Sequence, residues 1–288
     1  MIPFPNIEPE IFTISFWSFE FALRWYALSY VAGFICASYL MTFFLRREYL
    51  WKFRTAPMES AQVSDLLTWL IVGVILGGRL GYVAFYNLPL YLSDPFSILK
   101  IWEGGMSFHG GFLGVIIATA LYARRHGVPL IMLGDLLAIA SPPGLMFGRI
   151  ANFVNAELWG RPTAMPWGVI FPGQMAQNCL DVTGLCARHP SQLYEASLEG
   201  FFLFLVILLA VYLGGLKKPG FISGIFLVGY GSARFFVEYF RVPDPQFFSA
   251  ENPYGFALNL GNFGFTMGQL LSLPMIAIGA YFIFKRRV

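Results

Sequence analysis

Seven stretches of this 288-residue chain stay apolar for the length of a bilayer crossing, at about 21–45, 66–86, 106–123, 131–150, 195–214, 219–240 and 266–284. Crossing about 30 Å of hydrocarbon takes roughly 20 predominantly apolar helical residues. Only 12% of the residues are charged and 57% are hydrophobic, against about 25% charged in a typical soluble domain. That is too little charge to coat a water-exposed surface, and it excludes disorder, collagen-like repeats and coiled coil. The expected fold is all-α: a polytopic integral membrane protein with seven transmembrane helices in a single transmembrane domain over 1–288. The first stretch lacks a basic leader and a small-residue cleavage site, so it reads as a retained helix.

The basic residues then orient the chain. Arg46, Arg47, Lys52, Arg54, Arg124, Arg125, Lys217, Lys218, Lys285, Arg286 and Arg287 occupy alternate connections and the tail. Lys100, Arg161, Arg188 and Arg241 lie in the opposite set. Cytoplasmic loops carry the excess of Lys and Arg, which sets the N-terminus outside and the C-terminus in the cytoplasm. These loops read as topology signals, with no nucleic-acid partner.

Four arginines remain, Arg24, Arg79, Arg149 and Arg234, within or at the edge of the spans. An arginine at the centre of a membrane helix costs about 2.5–3.5 kcal/mol on insertion scales. For Arg24, in the outer part of the first span, and for Arg79, snorkelling toward an interface is the plain account. Arg149 and Arg234 have richer surroundings. Gly148-Arg149-Ile150-Ala151-Asn152-Phe153-Val154-Asn155-Ala156-Glu157 follows Pro142-Pro143-Gly144, where a kink or break in the helix is expected. Its guanidinium, two amides and carboxylate suit a phosphate with hydroxyls attached. Tyr230, Arg234, Glu238 and Arg241 fall at about 0, 40, 80 and 20° around a helix, one narrow face. An inert buried ion pair is the plainer alternative there.

His109, between Gly104-Gly105 and Gly110-Gly111, falls on the same outer side, where glycines let backbone approach a ligand and imidazole is the natural base near neutral pH. The polar residues of six spans thus converge on the outer half and imply one cavity open to that side. Away from it only Asp135 and Glu199 are ionisable. Cys36 reads as a packing residue. Cys179 and Cys186 share an outer loop where disulfides are permitted, and their pairing stays open. No Cys or His spacing suggests a metal, and no cofactor is expected.

His109-Gly110-Gly111, Gly148-Arg149-Ile150-Ala151-Asn152-Phe153 through Glu157, Arg188-His189-Pro190-Ser191-Gln192-Leu193-Tyr194-Glu195, and Tyr230-Gly231 through Arg234, Glu238 and Arg241 resemble the bacterial prolipoprotein diacylglyceryl transferases, in order and over essentially the whole chain. Ala156 departs from a family pattern that often has Gly. The resemblance implies transfer of the diacylglyceryl group of phosphatidylglycerol to the thiol of a lipobox cysteine in a prolipoprotein, releasing glycerol phosphate, at the bacterial cytoplasmic (inner) membrane with the active site in its outer, periplasmic half. It implies that Arg149 and Arg234 are essential, with Asn152, Glu157, Tyr26, Tyr230 and Glu238 around the site. Asn155 and Arg241, from the same stretches, complete the expected phosphatidylglycerol-binding set. His109, Arg149 and Arg234 form the expected catalytic set, His109 as base toward the thiol. The expected partners are phosphatidylglycerol, the prolipoprotein signal peptide and membrane lipids. A lipid or anion transporter would need polar groups on the cytoplasmic half as well, and a lipoprotein chaperone would need no intramembrane guanidinium.

Overall fold

The computed structural model describes residues 1–17, 19–86, 88–179, 184–243, 247, 249, 252, 254–260 and 263–285. Arg286 and Arg287 of the basic tail lie outside these. The chain is mostly helical, and all seven apolar stretches are helices: α1 (Trp25–Leu45), α2 (Val63–Tyr86), α4 (Phe108–His126), α5 (Leu130–Val154), the composite run Ser191–Tyr212, α9 (Phe221–Val237) and α10 (Met267–Phe284). Short helices α3 (Leu88–Ser93) and α6 (Gln174–Gln177) lie between them. The composite run joins α7 (Ser191–Glu195) to α8 (Leu203–Tyr212) through a π-helical stretch, Ala196–Phe202. Five of the seven are long and apolar enough to cross a membrane. The other two are α9, with 17 residues, and α4, whose last turn holds Arg124, Arg125 and His126. Within the five, only 17–44% of the most apolar stretch is buried in protein, so side chains such as Ile35, Leu76, Leu209 and Ile278 need another apolar phase around them.

Two expectations are corrected. The first helix starts at Trp25, not near residue 21, because residues 10–24 form an antiparallel hairpin of β2 (Glu10–Phe16) and β3 (Phe19–Arg24). From Phe12 the run Phe12-Thr13-Ile14-Ser15-Phe16 alternates apolar and polar residues with the two-residue period of a strand. Arg24 therefore sits on a strand end and pairs with Glu10 at 3.1 Å, both side chains being exposed. The second correction concerns the break expected in α5: the helix continues through Pro142 and Pro143. Membrane-depth helices tolerate proline where neighbouring groups resatisfy the freed carbonyls.

The chain divides into two compact units. The unit Ser38–Leu137 is held by α2 against α4, and glycine makes that contact possible. Gly73, Gly77 and Gly81 on α2 face Gly110 and Gly114 on α4, so a Cβ on Gly81 would lie 2.7 Å from the Gly110 Cα and one on Gly73 2.7 Å from the Gly114 oxygen. Small residues four apart let helix backbones touch where no hydrophobic effect drives association. At the same end, Arg79 is 5% exposed and uses every N–H it has. Nε donates to the Ile98 carbonyl, Nη1 to Gly104 and Gly105, and Nη2 to Ser97 and Lys100, at 2.6–3.2 Å. The guanidinium thus reaches beyond α2, and the loop folds around it.

The unit Met1–Ala37 with Ala138–Val288 contains the N-terminal hairpin, α7 to α10, the lower-numbered part of α1 and the higher-numbered part of α5. Gly33 of α1 approaches Gly144 of α5, while α9 and α10 meet through Gly224 and Gly279. Strand β1 (Ile2–Pro3) pairs in parallel with β4 (Val169–Ile170), bringing Phe4 against Phe153 and Phe171. Cys179 and Cys186 form a disulfide. Arg188 is buried above the Trp159 ring and donates to the carbonyls of Ala176, Gly160 and Asn178. A short hairpin, β5 (Leu258–Asn259) with β6 (Gly264–Phe265), leads into α10, which Thr266 and Gln269 cap reciprocally.

Gly114→Ala and Gly111→Ala separate close approach from helix propensity. A Cβ on Gly114 would meet the backbone of Gly73, whereas one on Gly111 would have ordinary contacts at 3.7–3.8 Å. The expected outcome is a loss of about 1–3 kcal/mol for Gly114→Ala and a small gain for Gly111→Ala, read from thermal unfolding in detergent.

Candidate active site

Three guanidinium groups and three carboxyls from distant parts of the chain meet inside the larger unit. Arg149 comes from α5, Arg234 from α9, and Glu238 and Arg241 from the turn that ends α9; Glu195 closes α7 and Glu199 lies in the π-helical stretch. Glu195 is the hub and is fully buried. Its Oε2 faces Arg149 Nε at 2.9 Å, and its Oε1 faces Arg241 Nη1 at 2.9 Å and Arg234 Nη1 at 3.3 Å. Glu238 Oε2 faces Arg234 Nη1 at 2.7 Å and Arg241 Nε at 3.7 Å. Its carboxylate also presses on Gly268, where a Cβ would come within 2.6 Å. That places it in the first turn of α10, where a helix favours negative charge. Glu199 is equally buried and stands 3.9 Å from Arg149 Nη2.

The three arginines keep a modest opening, with 14–20% of each side chain exposed. Arg241 is positioned through its backbone: Gly160 and Arg241 form an isolated bridge, and Arg161 Nε donates to the Arg241 carbonyl at 2.8 Å. Tyr230, one turn before Arg234, stacks on Phe226 and lies within electrostatic reach of Glu199, Arg149, Arg234 and Glu195.

Beyond α5 the chain turns back on itself. Asn152 donates to Glu157 Oε1 at 2.7 Å, and Asn155 Nδ2 stands 3.5 Å from the same oxygen. The tight path puts Ala156 and Leu158 at φ of 52° and 56°, so Ala156 occupies a left-handed position where Gly carries no steric penalty. Gln192 and Ser191, at the start of α7, donate to the carbonyls of Glu157 and Leu158 and tie this turn to the helix that carries Glu195. On α1 the Tyr30 hydroxyl donates to that of Tyr26 at 3.2 Å, and Tyr30 is within electrostatic reach of Glu157. Outside the spans, burial lowers the pKa of His189, whose Nδ1 lies 3.1 Å from the Tyr194 hydroxyl. Trp167 donates to that hydroxyl at 2.8 Å, so Tyr194 can give its own proton to a neutral His189.

Of the expected residues, Arg149, Arg234, Glu238 and Arg241 form one cluster, Tyr230 lies against it, and Asn152, Asn155 and Glu157 form the adjoining turn. The single helical face expected for Tyr230 to Arg241 is only part of the reason. Helix α9 ends at Val237, and Arg241 is brought to Arg234 by the shared carboxylate of Glu195. His109 is exposed near the start of α4, in the other unit, after the Ser107 cap. Glu195 and Glu199 were missed as members of the cluster, and the expectation that Glu199 lies apart from it is corrected. With Glu199 accounted for, Asp135 alone remains of the two ionisable groups read as lying elsewhere. No group of three or more His, Cys, Asp or Glu side chains among the described residues is arranged to hold a metal.

Apolar helices of bilayer length around a buried set of guanidinium groups define a multi-span membrane protein equipped to hold an anion. The family described as prolipoprotein diacylglyceryl transferase matches residues 13–285. Relatives named phosphatidylglycerol–prolipoprotein diacylglyceryl transferase include those of Ruegeria pomeroyi, 56% identical over 100% of this chain and 98% of the relative, and of Rhizobium leguminosarum bv. trifolii, 46% identical over 100% and 94%. That of Methylocella silvestris is 46% identical over 97% of this chain and 93% of the relative. The chain belongs to the prolipoprotein diacylglyceryl transferase family.

Glu195→Gln removes the one charge shared by all three arginines. Breaking a buried ion pair by removing one partner typically costs about 3–5 kcal/mol, and misplacing a catalytic group by about 1 Å costs on the order of 100-fold in rate. Both a lower thermal midpoint and a turnover loss of that order are expected, measured by calorimetry and by transfer to a lipobox peptide.

Proposed function

We propose that this chain transfers the diacylglyceryl group of phosphatidylglycerol to the thiol of a prolipoprotein lipobox cysteine, forming a thioether and releasing glycerol phosphate, the first step of bacterial lipoprotein maturation. The observation that carries the reading is the buried cluster of Arg149, Arg234 and Arg241 around Glu195. Breaking the glyceryl C–O bond turns a phosphodiester with one charge into a phosphate monoester on which a second develops. Guanidinium groups fixed beside that phosphate bind it more strongly in the transition state than in the ground state, and this difference accelerates the reaction. Arg149 and Arg234 hold the phosphate. Tyr26, Asn152, Asn155, Glu157, Tyr230, Glu238 and Arg241 complete the lipid site, the amides and hydroxyls serving the headgroup.

The nucleophile comes with the second substrate. A free thiol has a pKa of about 8.5, so attack near neutrality needs a base, and His109 takes that role. The chain works as one catalytic domain of seven spans in the cytoplasmic (inner) membrane, with the N-terminus and active site toward the periplasm. The distribution of basic residues and the helical state of all seven apolar stretches support that topology. The lipid and the signal peptide then both arrive through the bilayer.

Purified protein given labelled phosphatidylglycerol and a lipobox peptide should yield lipid on the cysteine and free glycerol phosphate; transport of intact lipid without either product would overturn the reading. Arg234→Lys keeps the charge but loses the fork and should cost on the order of 100-fold in kcat. His109→Gln should lower kcat by at least about 100-fold near neutral pH, and near wild-type transfer would remove His109 as the base.

A further inference from the structure

Glu199 belongs to the cluster, yet the reaction above gives it neither a substrate contact nor a close arginine to hold. It is fully buried, and neither of its carboxyl oxygens has a hydrogen-bond partner among the described residues. Its nearest guanidinium nitrogen, Arg149 Nη2, is 3.9 Å away. The close contacts of the three arginines go instead to Glu195 and Glu238, at 2.7–3.3 Å. Glu199 also stands one turn from Glu195 on the same continuous helix. Every element around it brings a charged or titratable group: Arg149 from α5, Glu195 from α7, Tyr230 and Arg234 from α9, and Arg241 from the turn beyond. An ionised carboxylate here would be a second negative charge beside Glu195 without a donor to satisfy it, a costly arrangement. A neutral acid is spared the charge penalty, and it leaves three guanidinium charges against two carboxylates. The net single positive charge matches one phosphodiester. The π-helical stretch that carries Glu199 is itself a rare geometry concentrated at functional sites.

We propose that Glu199 is the catalytic acid of the transfer: it enters the reaction neutral and gives its proton to the phosphate oxygen freed as the glyceryl C–O bond breaks. This rests on the transfer reaction proposed above. The thiol sulfur forms the new bond to the glyceryl carbon, and the C–O electron pair stays on the departing oxygen, which takes the Glu199 proton. His109 holds the proton lost by the thiol. After the products leave, His109 releases its proton and Glu199 regains one, so the net movement is of one proton from thiol to glycerol phosphate. An alkyl phosphate has a second pKa of about 6, and supplying that proton spares the buried site a doubly charged product.

The test uses full-length protein with phosphatidylglycerol in mixed micelles and a lipobox peptide. E199Q keeps the shape and neutrality of the side chain without a transferable proton. It should lower kcat by about 100-fold, leave the KM for phosphatidylglycerol within about threefold of wild type, and remove the fall of kcat at alkaline pH. Infrared spectra of the wild-type protein should contain a protonated-carboxyl C=O band that is missing in E199Q. Unchanged kcat, a loss confined to KM, or absence of that band would overturn the proposal; a loss confined to KM would make Glu199 a binding group for the lipid. If E199Q does not fold, E199D carries the test: lowered kcat with the alkaline fall retained supports the role, and unchanged kcat overturns it. Wild-type protein that transfers nothing would overturn the reaction and this proposal together, whereas transfer undiminished in E199Q overturns this proposal alone.

Discussion

A guanidinium buried in an apolar interior cannot be left unpaired, because little water is there to take its five N–H groups or screen its charge. Much of this structure follows from meeting that demand. Arg149, Arg234 and Arg241 meet it with carboxylates, and Arg79 with carbonyls. The two solutions have different chemical consequences. An arginine paired with carboxylates can exchange an internal anion for an arriving one and stay satisfied. One wrapped in the carbonyls of its own chain has nothing to exchange without unfolding a loop. The first kind belongs in a site and the second in a scaffold.

Glu195 makes the cluster a single object. Since one carboxylate touches all three arginines, an arginine that turns toward a phosphate gives up a contact with the same Glu195 that holds the other two. The turn at Asn152–Glu157 is tied into the same object through Gln192 and Ser191, the residues that begin the helix bearing Glu195. A headgroup contacting Asn152 and a phosphate contacting Arg149 would therefore be felt by the same helix. Burial of Glu238 against the first turn of α10 adds a fixed wall to one side. An electrostatic site of this kind is most effective when its dipoles need not reorganise during reaction.

The arginines of this site were legible in the sequence because a charge inside an apolar run is costly and stands out against it. Tyr230, Arg234 and Glu238 were legible as one helical face for the same reason. Glu195 and Glu199 were not, although both are plain in the sequence. Periodicity reports which residues share a face of one helix, but not which other helix that face meets, and this cluster joins positions 149, 195–199 and 234–241. Glu195 in addition sat at the boundary between an outer loop and a span, where a carboxylate has an ordinary explanation. The hairpin at residues 10–24 was hidden differently. Its two-residue alternation runs straight into the apolar start of α1, and average hydropathy merges the two. Arg79 was legible as an anomaly, yet its partners are backbone carbonyls, which no side-chain pattern reveals.

Arg79 can be compared with a bound ion. Five carbonyl oxygens from residues 97–105 converge on its guanidinium, much as backbone oxygens gather around a cation in a coordination shell. Here the cation is delivered by helix α2 on a covalent tether, so it needs no uptake from solution and cannot dissociate. The segment it organises runs directly into Ser107 and the helix bearing His109, and Ser107 N–H is fixed in turn to the Gly78 carbonyl, one residue before Arg79. Two short 3-10 turns, Pro95–Leu99 and Ile101–Glu103, are thus held together by one tethered ligand.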